Sequence, residues 1–256
     1  MTQVLHITSR DNPALQRIRK LSQDANAYRK IGSIWLEGDH LARAARQRGH
    51  AITLAVVTET AYAEPEMRAL ADAAPKVLVV PGELFKGLSG LESPAQIGFE
   101  VPHDAARAIT AGLDSVVLDR LQDAGNVGTI LRSAAAFGFK QILAIKGTAA
   151  LWSPKVLRAG MGAHFGLRLI EGLAPADLEA LQVPLVATSS YAPDALNQLT
   201  LPQPCAWVMG HEGQGVSAEL MARCAQTVCI PQPGGEESLN VGAAAAICLY
   251  ESARQR

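Results

Sequence analysis

The sequence predicts an α/β protein in two units, the second built on a parallel sheet. Three observations carry this. Short apolar runs alternate with helix-patterned segments along most of the chain. Runs such as KVLVV, QILAI and CAWVM are continuously apolar, as strands covered on both faces must be. The alternation breaks once, in PHDAARAITAG, which places a linker at residues 102–112 between units at 1–101 and 113–256.

In order, Asn12 is an N-cap and Pro13 the first residue of a helix with Leu15, Ile18 and Leu21 on one face. A short extended run, SIWLEG, precedes the helix DHLARAARQRG. Strand AITLAVVT, helix PEMRALADAA, strand KVLVV, helix GELFKGLSGL and strand QIGFEV complete the smaller α/β unit. After the linker come SVVLDRL, helix GTILRSAAAFG, strand QILAI, helix PKVLRAGMG and strand LRLIEG. Helix PADLEAL, strands PLVATS and CAWVMG, helix SAELMARC and strand QTVCIP follow. The Ala-rich helix SLNVGAAAAICLYESARQR is last.

The chain of 256 residues is 48% hydrophobic and 18% charged, the composition of an ordinary globular protein. No uncharged apolar stretch reaches the roughly 18 residues of a membrane span, and MTQVLHITSRDN lacks the apolar core of a secretory signal. The expected location is the cytoplasm, with no membrane partner. Cys205, Cys224, Cys229 and Cys248 form no C-x-x-C pair and have no histidine at zinc-ligand spacing, so buried thiols are expected and a metal site is not. Residues 1–50 hold nine Lys/Arg against four Asp/Glu, a balance of +5. The rest holds fourteen against twenty, −6, which together make the net −1. A basic front end on a neutral chain suggests a polyanion contact in one module; a solvated basic helix face is the alternative.

Three segments carry candidate chemistry. In QDAGNVGTILRSAAAFGF, Arg132 is the sole charged residue between Asp123 and Lys140. A guanidinium so isolated on a small apolar helix is placed to meet a phosphate, or to form an interhelical salt bridge. Asn126 could cap that helix, and Gly128 could allow close packing. In GHEGQGVS, residues 210–217, the order G-x-x-G-x-G is not the G-x-G-x-x-G of a dinucleotide turn, and Glu212 would repel a pyrophosphate. Glu212 could instead bind a hydroxyl, brace Arg132, or interact with a helix dipole. His211 reads as incidental. In CIPQPGGEESLNVGAAAAI, Ser238 suits a helix N-cap, whereas Asn240 needs partners so early in an apolar helix.

Together and in this order, N-V-G-x-x-x-R (Asn126 to Arg132), G-x-E-G-x-G-x-S (Gly210 to Ser217) and I-P-x-x-G-x-x-x-S-L-N-V (Ile230 to Val241) resemble the SpoU/TrmH family of the SPOUT superfamily. The resemblance covers residues 113–256. SRDNPALQRIRKLSQD with WLEGDHLARAA also resembles the substrate-binding domain of members acting on ribosomal RNA. The resemblance implies a parallel sheet with a trefoil knot, a homodimer formed through the C-terminal domain, and S-adenosylmethionine-dependent methylation of a ribose 2′-hydroxyl. The expected substrate is 23S ribosomal RNA, with tRNA the alternative. Gly210, Ile230 and Leu239 would hold the adenosine part of the donor through their backbones. Asn126, Arg132, Glu212, Ser238 and Asn240 would surround the reacting ribose. Gln232 and Gly242 depart from the family pattern, which has methionine and often serine there.

The family mechanism makes Arg132 a base, yet arginine stays protonated in proteins. A clamp on the RNA phosphate that also stabilises the developing oxyanion is the preferred role. Ser238 and Asn240 would position the hydroxyl, and Glu212 would orient Arg132 or Asn126. RNA is expected to meet Arg17, Arg19, Lys20, Arg29 and Lys30 of the first unit. The competing classes are a non-catalytic RNA-binding or ribosome-assembly protein and a nicotinamide enzyme; the glycine order and the motif trio weigh against the latter.

Overall fold

A computed structural model describes residues 2–103, 108–234 and 238–256. The chain forms two compact units, one of residues 1–105 with Trp152–Phe165, the other of 106–151 with 166–256. The segment Trp152–Phe165, which the sequence reading placed beyond the linker, packs with the first unit. Its Trp152 ring lies 5.7 Å from that of His103, and Phe165 lies 5.0 Å from His50. Of the expected linker, Pro102 ends a strand and Thr110 and Gly112 hydrogen-bond into the second unit; 104–107 lie outside the described residues.

The first unit holds β1 (Gln3–His6), β2 (Ser33–Glu37), β3 (Leu54–Thr58), β4 (Lys76–Val80) and β5 (Ile97–Pro102), in the order β1-β4-β3-β5-β2. β1, β4 and β3 are parallel, but β5 runs antiparallel to both β3 and β2. This sheet is therefore mixed, where uniform alternation suggested parallel pairing. A helix between two strands fixes neither partner nor direction. β1 was missed because QVLH faces solvent along most of its length and has no apolar run. Two five-residue helices, Ala27–Ile31 and Glu59–Ala63, are too short for a periodic signal.

The opening helix, Pro13–Gln23, forms as its pattern predicts: Asn12 accepts from the Ala14 amide, and Leu15, Ile18 and Leu21 are buried. Trp35 lies flat over Gly98 of the neighbouring strand, where a Cβ would come within 2.1 Å of the indole. Only glycine leaves that ring its place.

The second unit holds β6 (Ser115–Leu118), β7 (Gln141–Ile145), β8 (Arg168–Leu173), β9 (Leu185–Thr188), β10 (Ala206–Met209) and β11 (Gln226–Val228). The order is β11-β9-β10-β6-β7-β8 and every pair is parallel, in line with the continuous apolar runs. PADLEAL is a 3₁₀ segment rather than an α-helix, and its Leu178 and Leu181 pack on Val117, Leu143 and Val208 of the sheet. The terminal helix, Val241–Arg254, packs on the helix Ala124–Ala136 and on β10, where Trp207 donates to Ser252 at 2.8 Å. All four cysteines are unpaired; Cys205 and Cys248 are buried and the other two half-buried. Burial pushes the Cys205 thiol up to about 12.

The strand order reverses beside β6. The chain steps outward through β7 and β8, then returns on the opposite side through β9 and β10. Loops leaving the carboxyl ends of strands at such a reversal diverge and leave a crevice between them.

Near the chain end, Arg254 and Gln255 donate to Glu251 at 2.6–2.9 Å and hold its carboxyl down to about 2, from 4.5. A depressed carboxylate stabilises the fold above its ordinary value, and that stabilisation is lost as pH falls through the depressed one. Glu251→Gln should therefore unfold at lower denaturant than wild type at pH 7, with the gap closing as pH falls from 4.5 towards 2. Equal midpoints at pH 7 would contradict this.

Candidate active site

The loops following β9, β10 and β11 enclose a cavity of about 640 Å³. Thr188–Tyr191, Gly210–Val216, Ile230, Gln232 and Ser238–Val241 line it, so it opens where the strand order predicts. Gly210, Ile230 and Leu239, expected to hold the donor, all line it, as do Glu212, Ser238 and Asn240. Asn126 and Arg132 lie outside its lining.

The glycine loop closes on itself. His211 and Gly215 exchange backbone hydrogen bonds at 3.0 and 2.8 Å, so those amides are not presented to a phosphate. A Cβ on Gly210 would stand 2.2 Å from the Gly215 carbonyl carbon and the Val216 nitrogen, and Gly215 has φ +68°. These two positions need glycine for different reasons, close approach and a left-handed backbone. His211 Nδ1 accepts from the Gly213 amide at 3.0 Å, a brace within the turn.

Glu212 leaves this loop to reach the start of the helix Ala124–Ala136. Its carboxylate accepts from the Gln122 and Asp123 amides at 3.3 and 3.1 Å and from Asn126 Nδ2 at 3.2 Å. Partial burial alone would raise its pKa, but hydrogen bonds from its own backbone, Asn126, Asp123 and Gln122 hold it below the ordinary carboxylate value. It also meets the positive end of that helix dipole. The dipole interaction is thus with this helix, not with the one that follows the glycine loop.

Asn126 passes the connection on. Its Oδ1 accepts from Asn240 Nδ2 at 2.9 Å, and Asn240 Oδ1 accepts from the Gly242 and Ala243 amides at 2.9 and 3.3 Å. Asn240, not Ser238, is the N-cap of the terminal helix, and Asp123, not Asn126, caps the earlier one. Asn126 is thereby left to join the segments laterally, while Asn240 caps through Oδ1 and reaches Asn126 through Nδ2. A Cβ at Gly242 would lie 3.2 Å from Thr129 Cγ2, so the residue departing from the family pattern sits where the two helices meet closely.

Sequence reasoning passed over Asp119 and Arg120, at the end of the β6 run SVVLDRL. Buried Asp119 accepts from the Ser217 amide at 2.6 Å, and Arg120 pairs with Asp119 while donating to Gln214 at 3.1 Å. They clamp the glycine loop from the neighbouring strand. A charged pair ending an apolar strand was the available signal.

Arg132 is exposed and makes no hydrogen bond or ion pair among the described residues, Glu212 included. It lies roughly 9 Å along the helix axis beyond Asn126. Ser238 is exposed on the cavity wall, and its hydroxyl has no partner among the described residues. In the first unit, Arg17 is committed to buried Glu100 through bonds of 3.0 and 2.7 Å, which raise its pKa, and Arg19 donates to the Gly87 carbonyl. Arg29 donates to the Tyr28 hydroxyl, while Lys20 and Lys30 are exposed.

The profile of the SpoU rRNA Methylase family matches residues 115–250, more than half of the chain and nearly the whole second unit. The chain belongs to the SpoU rRNA methylase family. An uncharacterised tRNA/rRNA methyltransferase of Synechocystis is 33% identical over 99% of this chain and 95% of its own length. The 23S rRNA (guanosine(2553)-2′-O)-methyltransferase RlmP of Bacillus subtilis is 27% identical over 86% of this chain and 88% of its own. Among solved structures, an AdoMet-bound rRNA methyltransferase from Sinorhizobium meliloti superposes with a TM-score of 0.84 at 28% identity, covering 98% of both chains. An RNA 2′-O ribose methyltransferase superposes at 0.81 and 29%, covering 98% of this chain and 99% of its own. Likeness to RNA methyltransferases thus extends over both units.

In this SpoU protein, Gly210→Ala should force the loop apart at its neck. Amide exchange at His211 and Gly215 should accelerate on the order of tenfold or more, while β10 stays protected. Unchanged protection at both amides would refute the close-approach argument.

Proposed function

We propose that this protein methylates a ribose 2′-hydroxyl of 23S ribosomal RNA, using S-adenosylmethionine. RNA 2′-O-methylation and the methyl donor follow from membership of the SpoU family; the ribosomal target is the finer step. It is supported by likeness to the B. subtilis and S. meliloti proteins, whose names specify rRNA. The observation that carries the reading is the hydrogen-bonded line Glu212–Asn126–Asn240, which joins all three family motifs and ends at both sides on residues that line the cavity.

The cavity suits the donor. Its wall carries apolar surface on Leu239, 39% exposed, and on half-buried Ile230, with backbone polar groups of the closed glycine loop beside them. Gly210, Ile230 and Leu239 would hold the adenosine part. When bound, S-adenosylmethionine supplies a methyl group already activated by its sulfonium. The protein must therefore align the hydroxyl and help remove one proton. Ser238 would orient that hydroxyl, as would the second Nδ2 hydrogen of Asn240, since the first is engaged by Asn126. Glu212 would keep Asn126 in place. Arg132, with no ion-pair partner among the described residues, would clamp the RNA phosphate and stabilise charge developing on the ribose oxygen.

The first unit would supply RNA affinity, through Lys20 and Lys30 and with Arg19 and Arg29 nearby. Arg17, already neutralised by Glu100, contributes least in this scheme. Ile247 and Tyr250, 40% and 55% exposed on the terminal helix, support a homodimer through the second unit. The knotted path and the cytoplasmic location implied by the resemblance are part of the same proposal.

Arg132→Ala should keep its melting temperature and donor affinity but lose on the order of 10²–10³ in single-turnover methylation. Arg132→Lys should recover little, because a point charge does not reproduce a planar two-pronged donor. Full activity in a stable Arg132→Ala protein would overturn this role.

A further inference from the structure

Gln232 stands directly after Ile230–Pro231, on the loop that leaves β11, where the family pattern has methionine. It lines the cavity, and its side-chain oxygen is buried with no hydrogen-bond partner among the described residues. A buried acceptor without a partner is destabilising, so it persists where something else satisfies it. The residue as a whole is only half-buried and lines the cavity, and a turn about its broad terminal torsion exchanges the oxygen with the amide nitrogen, so the oxygen is not confined to its buried position.

We infer that Gln232 is a specificity residue of the donor site: its carboxamide oxygen accepts a hydrogen bond from the adenosine moiety of the bound methyl donor. This rests on the methyl-donor reading of the cavity and adds a side-chain hydrogen bond to an acceptor stronger than a methionine thioether. A neutral amide oxygen in a half-buried position fits a neutral partner, an amine or hydroxyl of a nucleoside. It fits poorly with the α-ammonium at the other end of the donor. A charge taken out of water demands an opposite charge, and the acidic side chain lining this cavity among the described residues is Glu212, already bound to three donors. Half-buried Ile230 and exposed Leu239 also line the cavity, with the apolar surface a flat ring system requires.

The test is calorimetric titration of wild type and Gln232→Met with S-adenosylmethionine and with methylthioadenosine, which keeps the adenosine and lacks the amino-acid end. Gln232→Leu, of similar volume, serves if the methionine variant folds poorly. Both ligands should bind the variant about two- to tenfold more weakly, the worth of one net hydrogen bond. Unchanged affinity for both ligands in a variant that folds would overturn the inference while leaving the methyl-donor reading intact. A loss confined to S-adenosylmethionine would place the contact at the amino-acid end and overturn the assignment to adenosine. Wild-type protein that binds neither ligand would overturn the donor reading itself.

Discussion

A carboxylate at the tip of a loop must find donors or remain in water, and Glu212 finds three at the start of another helix. That choice organises the second unit's active end. Glu212 fixes Asn126, Asn126 fixes Asn240, and Asn240 caps the terminal helix. Segments that leave β6, β10 and β11 are held in one register by these side chains. The bonds among Glu212, Asn126 and Asn240 are exposed and each is worth only about 1 kcal/mol. The arrangement depends on their being linked. Because hydrogen bonds hold the Glu212 carboxyl below its ordinary value, this bracing is in force at neutral pH and weakens as pH falls through the lowered value.

The sheet dictates where such bracing is needed. Parallel strands all send their loops to one end, and the reversal beside β6 separates those loops into two groups. Asp119 and Arg120 hold the glycine loop from the strand side, and Glu212 holds the neighbouring helix from the loop side. Gly210, with no room for a Cβ, lets the loop close tightly enough for both. The resulting cavity wall is made largely of loop residues whose positions are over-determined.

Much of this was legible in the residues. Ten of the strands announce themselves as apolar runs, and the opening helix follows from Asn12, Pro13 and the Leu15–Ile18–Leu21 face. β1 escaped because an exposed edge strand has no apolar pattern. The mixed pairing of the first sheet escaped because pairing direction leaves no mark on a strand's own residues. At the site, spacing marked Glu212, Asn126 and Asn240 as residues in search of partners but could not say that they would find one another. A cap looks the same in sequence whether Ser238 or Asn240 provides it. The basic helix face misled in one respect. Arg17 reads as a surface charge until β5 places buried Glu100 beneath it.

The central claim is that Glu212 and Asn240, which do not touch, act as one through Asn126. A double-mutant cycle of Glu212→Ala and Asn240→Ala, read as S-adenosylmethionine affinity, measures this directly. Residues in one hydrogen-bonded network couple by about 0.5–3 kcal/mol, and the account predicts a coupling in that range, with the second substitution costing less once the first is made. Losses that add to within about 0.3 kcal/mol would show two independent sites and contradict it.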